Sequence, residues 1–418
     1  MQRLGALPGW YRDNRVLAWV CVVIAVNQLG FGNIVPVVPL YAKSFGVSQF
    51  LVGLTVAVYG LARFVANMPA GRIADLLGRG WAIAIGGMVT AGGNLLCGLA
   101  GTYGLFLVGR FIGGLGAAMV LTGTQIILTD ISTPENRGRV IALYMTVFMF
   151  AVGISPLYGG FLADKFGLEV PFYLYAVLGL GVTLLAFLRV PETRVAGAID
   201  GRTSVDVQPR FSGQVVSLLR QPAFLLVSVA SFATFFARTG GVFTIVPQRA
   251  DSSIGLSTSQ IGLGLSAISI ISLAVAYPSG VMMDRFGRKA VIVPALLSGC
   301  AAMFFFAISG TFVWFVLSCV VWGVSVGLSG AAPTAYAADV APPGMNAAAM
   351  GIFRTLSDSG YFFGPFLLGA VASLAGTGSA LITTAVMLLV IGTGFALIAP
   401  ESHTKPRLVT AAKDVPAD

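Results

Sequence analysis

Arg354 and Asp358 stand four residues apart inside an apolar run near the C-terminus. On a helix that spacing puts both on one face, a turn apart. Such a pair can be a static ion pair that makes both charges tolerable. It can equally be a titrating carboxylate with a switchable partner. Arg63, Arg110 and Arg238 interrupt other apolar runs. A charge at the centre of a bilayer costs roughly 2.5–3.5 kcal/mol on insertion scales, so each needs carbonyls, water, an anion or a route to headgroups. Asn27, Gln28 and Asn33 add neutral polarity to the first run, Gln125 to the fourth and Tyr158 to the fifth. Their amides and hydroxyls suit a solute in a cavity or a bond between helices. Trp322, like Phe235 and Phe236, suits packing or a ligand face. No His/Cys/carboxylate cluster, nucleophile motif or phosphate loop accompanies these residues, and no cofactor or metal is implied. The chemistry on offer is binding and proton handling rather than bond making, so an enzyme is not expected.

The chain that must position them has 418 residues, 56% apolar and only 10% charged. A soluble protein is about 25% charged and needs that skin to stay dissolved. A soluble enzyme, a disordered chain and a nucleic-acid binder are therefore poor readings. Apolar runs of about 20 residues, the length that crosses ~30 Å of hydrocarbon, recur along the whole chain. Twelve are expected, over 17–40, 51–70, 81–101, 105–129, 140–162, 172–190, 222–247, 259–279, 290–309, 312–338, 347–373 and 379–399. They lack the alternation of barrel strands, so the fold class is an all-α integral membrane protein. Cys21, Cys97, Cys300 and Cys319 all fall within runs, too scattered for a disulfide or zinc framework, and the single His403 sits in the tail.

Of 25 Lys and Arg, eighteen fall in one set of connections and three (Lys43, Lys165 and Arg249) in the other, with four inside runs. The cation-rich side should be cytoplasmic, which places both termini inside. The net charge of +9 then reports topology rather than an acidic partner. Residues 1–16 lack the apolar run and cleavage site of a removable signal.

A shift of 209 residues lays the chain on itself. Gly71, Asp75, Gly78 and Arg79 fall on Gly280, Asp284, Gly287 and Arg288. Asp130 falls on Asp339, Pro134 on Pro343, Pro156 on Pro365, Gly160 on Gly369, and Pro191-Glu192 on Pro400-Glu401. The expected organisation is a cytoplasmic segment 1–16, a six-helix bundle 17–190, a cytoplasmic linker 191–221 with room for a short surface helix, a second bundle 222–399 and a tail 400–418. The bundles would be pseudo-symmetric about an axis along the membrane normal.

Here the residues resemble the major facilitator superfamily, over about residues 17 to 400. Its loop pattern Gly-x-x-x-Asp-Arg/Lys-x-Gly-Arg-Arg/Lys is complete at Gly280–Lys289, including Arg285. The copy at Gly71–Gly80 has lost two basic positions. The resemblance implies two gate loops that make and break contacts as the halves rock. A plain turn with a topology signal is the alternative. Arg110, followed by Gly113, Gly114 and Gly116, is similar to the family's fourth-helix pattern, where the arginine is linked to proton movement in drug exporters. Ser155-Pro156-Leu-Tyr158-Gly159-Gly160 resembles the antiporter motif of the fifth helix, with Ala142, Ala151 and Ser155 in place of three glycines. Ordinary small-residue packing reads the same segment. The tail Gly30-x-Gly32-x-x-x-Pro36-x-x-Pro39 is shared with many drug exporters, several of which carry an aspartate where Asn27 stands.

The resemblance implies a secondary transporter, a proton-coupled exporter of small organic molecules in a bacterial inner membrane. Such a chain works as a monomer in lipid, with a small-molecule substrate and protons as its partners and no nucleic acid. Arg110, Arg354 and Asp358 are the expected coupling residues, Asp358 being the one carboxylate deep in a run. Arg110 and Arg238 make the outer side of the cavity positive, which favours anionic or neutral solutes over lipophilic cations. An uptake carrier for an organic anion and a non-transporting receptor are the rival readings.

Overall fold

A computed structural model describes residues 9–132, 136–193, 215, 217–342 and 345–402. Most of the linker expected over 191–221, the tail from 403 with its His403, segment 1–8, and Pro134 and Pro343 lie outside the described residues. Among the described residues, eleven helices are long and apolar enough to cross a membrane.

The helices are α1 (Gly9–Ile34), a short α2 (Val38–Ser44), α3 (Gln49–Leu77), α4 (Arg79–Gly98), α5 (Tyr103–Ile131), α6 (Arg137–Phe166) and α7 (Val170–Arg189). The second portion holds α8 (Pro222–Phe236), α9 (Thr258–Phe286), α10 (Lys289–Ile308), α11 (Phe312–Ser329), α12 (Ala332–Asp339) and α13 (Asn346–Ile398). Several boundaries differ from expectation, α3 and α9 each running seven residues past the expected ends at 70 and 279. The first run breaks after Ile34 instead of reaching residue 40, because Pro36 offers no amide to continue the ladder. The seventh runs past 247: α8 continues through π-helical turns at Ala237–Ile245 and Ala250–Ile254 with one α turn, Val246–Arg249, between them. The tenth is split into α11 and α12 at Gly330, just ahead of Pro333.

The repeat is written into the backbone. Six described glycines have positive φ, and they form three pairs 209 residues apart: Gly46 with Gly255, Gly78 with Gly287, and Gly167 with Gly376. The caps pair in the same way. Ser48 and Ser257 accept the amides of Leu51 and Gln260, and Thr102 and Thr311 those of Leu105 and Trp314. Packing repeats too. In the first portion α4 lies against α5 and α7, α3 against α5, and α1 against α6. In the second α10 lies against α11 and α13, α9 against α11, and α8 against α13. Gly376, at φ 85° and ψ 163°, breaks α13 where Gly167 ends α6.

At the cation-rich end the repeat builds one charge cluster twice. Arg79 Nε meets Asp130 at 3.1 Å, and Arg288 Nε meets Asp339 at 3.0 Å. Glu192 accepts the Arg79 amide and Glu401 the Arg288 amide. Thr193 and Ser402 complete Asp130 and Asp339 with hydroxyl donors. Gly78 and Gly287 stand at φ 106° and 95° with extended ψ, and a Cβ on either would strike the Glu192 or Glu401 carboxylate. Backbone strain of that kind costs about 1–3 kcal/mol. Gly78→Ala and Gly287→Ala should therefore each lower the melting temperature of the purified protein by several degrees, and the double variant by about the sum.

The two portions meet along two seams, α3 with α13 and α6 with α9. At the cation-poor end Lys43 pairs with Asp251 at 3.0 Å, and Ser259 donates to Asp164 at 2.8 Å. Both members of the ion pair are exposed to about two-fifths. Lys43→Ala should therefore change thermal stability by less than about 1 kcal/mol, read as a small or absent melting shift.

Candidate functional site

Small residues bring the seams to backbone contact. On the α3–α13 seam a Cβ at Gly53 would strike the Pro365 carbonyl, and one at Gly60 would sit 3.1 Å from the Tyr361 carbonyl. Pro365 lacks the amide that would bond Tyr361, so the helix is free to bend there. On the α6–α9 seam Gly160 meets the Thr258 carbonyl and Gly262 the Pro156 carbonyl. Ser155 donates to the Val152 carbonyl that Pro156 leaves without its amide. Gly159 faces the other way, against the backbone of Asn33 on α1. The Ser155–Gly160 segment thus packs within its own portion by one glycine and across the seam by the other. Toward the cation-rich end Gly71, Gly280 and Gly351 face open space.

Between the seams lies a small cavity of about 30 Å³ lined by Arg238, Trp322, Pro156, Ser269 and Ser272 among others. It holds about one water. Arg238 lies 5.4 Å from the Phe243 ring centre, and Trp322 is buried. A second concavity of about 410 Å³ opens at the cation-poor end around Lys43, Asp164 and Asp251.

Arg110, Arg354 and Asp358 lie away from this cavity, Arg110 against Tyr59 and the other two beyond Arg63. Arg110 is 4% exposed, its guanidinium stands 4.4 Å over the Tyr59 ring, and its Nε has no hydrogen-bond partner among the described residues. The buried Tyr175 hydroxyl is likewise unpartnered, with its ring seated on Gly30. Tyr59 stacks on Phe31 at 5.7 Å. One turn beyond Tyr59, Arg63 lies 5.2 Å from the Tyr361 ring centre. Arg354 Nε is 3.9 Å from Asp358, on the same helix as expected. Asp358 is also an electrostatic neighbour of Arg63, across the seam. Sequence reasoning placed Arg63 in a span but gave it no role, and it did not single out Tyr59, Tyr175 or Tyr361.

The remaining candidates lie as follows. Asn27 donates to Gln28 at 2.9 Å, both buried in α1. Asn33 is fully buried, with neither polar side-chain atom partnered. Tyr158 donates to the Leu29 carbonyl and so ties α6 to α1. Gln125 is half-buried on α5, about four turns from Arg110 toward the cation-rich end. In the loop motifs Asp75 pairs with Arg79 at 3.1 Å, while Asp284 and Arg285 are exposed and Arg288 turns to Asp339.

The sequence profile of the Major Facilitator Superfamily matches residues 20–252 and again 227–418. The chain belongs to the major facilitator superfamily. It is a multi-pass membrane transporter of that family, and the double match mirrors the two-fold repeat of its backbone. It is 22% identical to an MFS-type transporter of Methanocaldococcus jannaschii, over 92% of this chain and 97% of the relative. It is 24% identical to Multidrug resistance protein 2 of Bacillus subtilis, over 84% of this chain and 87% of the relative. A solved bacterial homologue of the human lysosomal transporter Spinster, inward-facing and occupied, shares its fold at a TM-score of 0.75. That likeness covers 94% of this chain and 97% of the other at 16% identity.

Proposed function

We propose that this superfamily member is a proton-coupled exporter of small organic molecules, a drug or metabolite effluxer, working by alternating access. The observation that carries the reading is Asp358, half-buried between Arg354 and Arg63 on the seam between the two portions. A proton on that carboxylate changes the charge balance where the portions meet. The relatedness to a multidrug resistance protein favours small-molecule efflux.

In this reading the twelve spans count the two arms of α13 separately, and they form two pseudo-symmetric six-helix bundles. The bundles rock about the cavity of Arg238 and Trp322, with Asn27, Gln28, Asn33, Arg110, Gln125 and Tyr158 in the surrounding polar shell. Arg110 takes part in proton handling. The doubled clusters at Gly78–Arg79 and Gly287–Arg288 act as gate loops, and the Ser155–Gly160 helix is the packing surface of the antiporter. The cation-rich end faces the cytoplasm with both termini, in a bacterial inner membrane. Contacts at Lys43–Asp251 and along the glycine seams then close the outer side, leaving the inner side open. A monomer suffices, because one chain encloses its own path.

Arg63 and Arg354 outnumber Asp358 on the seam, which favours a second reading, a proton-coupled uptake carrier for an organic anion. Expression in cells stripped of their own exporters separates the two. An exporter lowers accumulation of one or more members of a panel of dyes, drugs and organic anions, and a protonophore restores it. Raised accumulation of an anion that a protonophore abolishes supports the carrier. Unchanged accumulation across the panel would contradict both.

A further inference from the structure

Helices α3 and the first arm of α13 run antiparallel along their seam, and their register is fixed by close approaches. Gly60 meets the carbonyl of Tyr361, and Gly53, seven residues back along α3, meets Pro365 and Gly369. Three residues on from Gly60 along α3 is Arg63; three back from Tyr361 along α13 is Asp358. The two therefore stand at one level on facing helices, about 4.5 Å nearer the cation-rich end than the crossing point. Beyond that level Gly71 and Gly351 have no neighbour within 4 Å of an added Cβ, so the seam opens there. Arg63 and Asp358 sit at the hinge edge of the contact.

We propose that Arg63 is the second partner of Asp358, a positioning residue that binds the ionised carboxylate when the cation-rich end closes and lets go when it is protonated. The proposal rests on the reading of Asp358 as the proton-coupling group. In the present state the carboxylate's ion pair is with Arg354, at a loose 3.9 Å, and Arg63 is held over the Tyr361 ring. Exchanging one partner for the other draws α3 toward α13. The proton comes from water, adds to a carboxylate oxygen of Asp358, and leaves by the same route; no other bond changes.

The groups facing Asp358 are few. From α3 there is Arg63 and from α13 itself Arg354, while Tyr361 and Tyr59 flank Arg63. Arg110 of α5 stands behind Tyr59. Tyr144 of α6 is an electrostatic neighbour of Arg354. α8 brings Ser231, bonded to Ser357, and Phe235 against Tyr361, with no titratable side chain over Pro222–Phe236, and its π-helical continuation, also packed on α13, carries Arg238 over the Phe243 ring. Asp358 is the one carboxylate in this set; Asp75 lies on α3 about three turns nearer the cation-rich end, paired with Arg79.

The test measures distance across the open end. Spin labels at Arg72→Cys on α3 and Gly351→Cys on α13 are read in nanodiscs from acidic to alkaline pH, against a control carrying only the native cysteines. The interspin distance is expected to shorten as pH rises. Arg63→Gln should remove this response, Arg63→Lys should keep it, and Asp358→Asn should hold the long distance at every pH. A normal response in Arg63→Gln, with Asp358→Asn unresponsive, would overturn the role of Arg63 and leave Asp358 as the coupling group. A normal response in Asp358→Asn would remove the coupling reading itself, and the proposal with it.

Discussion

Asp358→Asn is expected to reduce proton-driven transport to background while leaving the chain folded and able to bind substrate. Asparagine keeps the size and hydrogen bonding of the side chain but cannot take up or release a proton at ordinary pH. Arg354 is well exposed, so the loss of its loose 3.9 Å pair costs little stability. The substitution thus isolates coupling from fold. Binding of labelled substrate, measured without a pH gradient, should survive in the variant. Uphill movement under a gradient should not. Full uphill transport by Asp358→Asn would make the Arg354–Asp358 pair structural.

The second large effect is expected from Gly53→Val. Any side chain at Gly53 runs into the Pro365 carbonyl and the Gly369 backbone, and neither can swing aside as a side chain would. Overpacking a tight contact costs typically about 1–3 kcal/mol, up to roughly a hundredfold in a conformational equilibrium. Because the obstacle lies between the two portions, that free energy falls on the closure of the cation-poor end and spares the packing within each. The variant should fold, shift toward the form open at that end, and lose most of its transport. Labelling of a cysteine placed at Leu40, buried beside the cation-poor cavity, by a membrane-impermeant thiol reagent should rise. Gly92→Val, a glycine with open space around it, is the control and should behave as wild type.

Local sequence was enough for what depends on local physics. Runs of about 20 apolar residues had to be helices in lipid, because the backbone has no other partner there. The 209-residue repeat in rare residue types became three pairs of positive-φ glycines and two copies of one charge cluster. The i,i+4 spacing put Arg354 beside Asp358. What escaped depends on register between helices distant in the chain. Arg63 and Asp358 are almost 300 residues apart, and the contacts of Gly60 with Tyr361 and of Gly53 with Pro365 fix them at one level. Tyr158 carries a polar tip that could serve a cavity or a neighbouring helix, and its bond to Leu29 exists only once α6 lies on α1. The π-helical turns after Phe236 place Arg238 by a wider winding than the regular α period.

In the proposed function a proton gradient drives solute through this chain. Reconstituted in proteoliposomes with an imposed pH gradient of either sign, it should move at least one member of a panel of anions, cations and neutral drugs against that solute's own gradient. For an exporter the solute travels opposite to the protons, reversing the gradient reverses the flow, and a protonophore stops it. Solute that merely equilibrates, at the same rate under both gradients and with the protonophore present, would contradict the account.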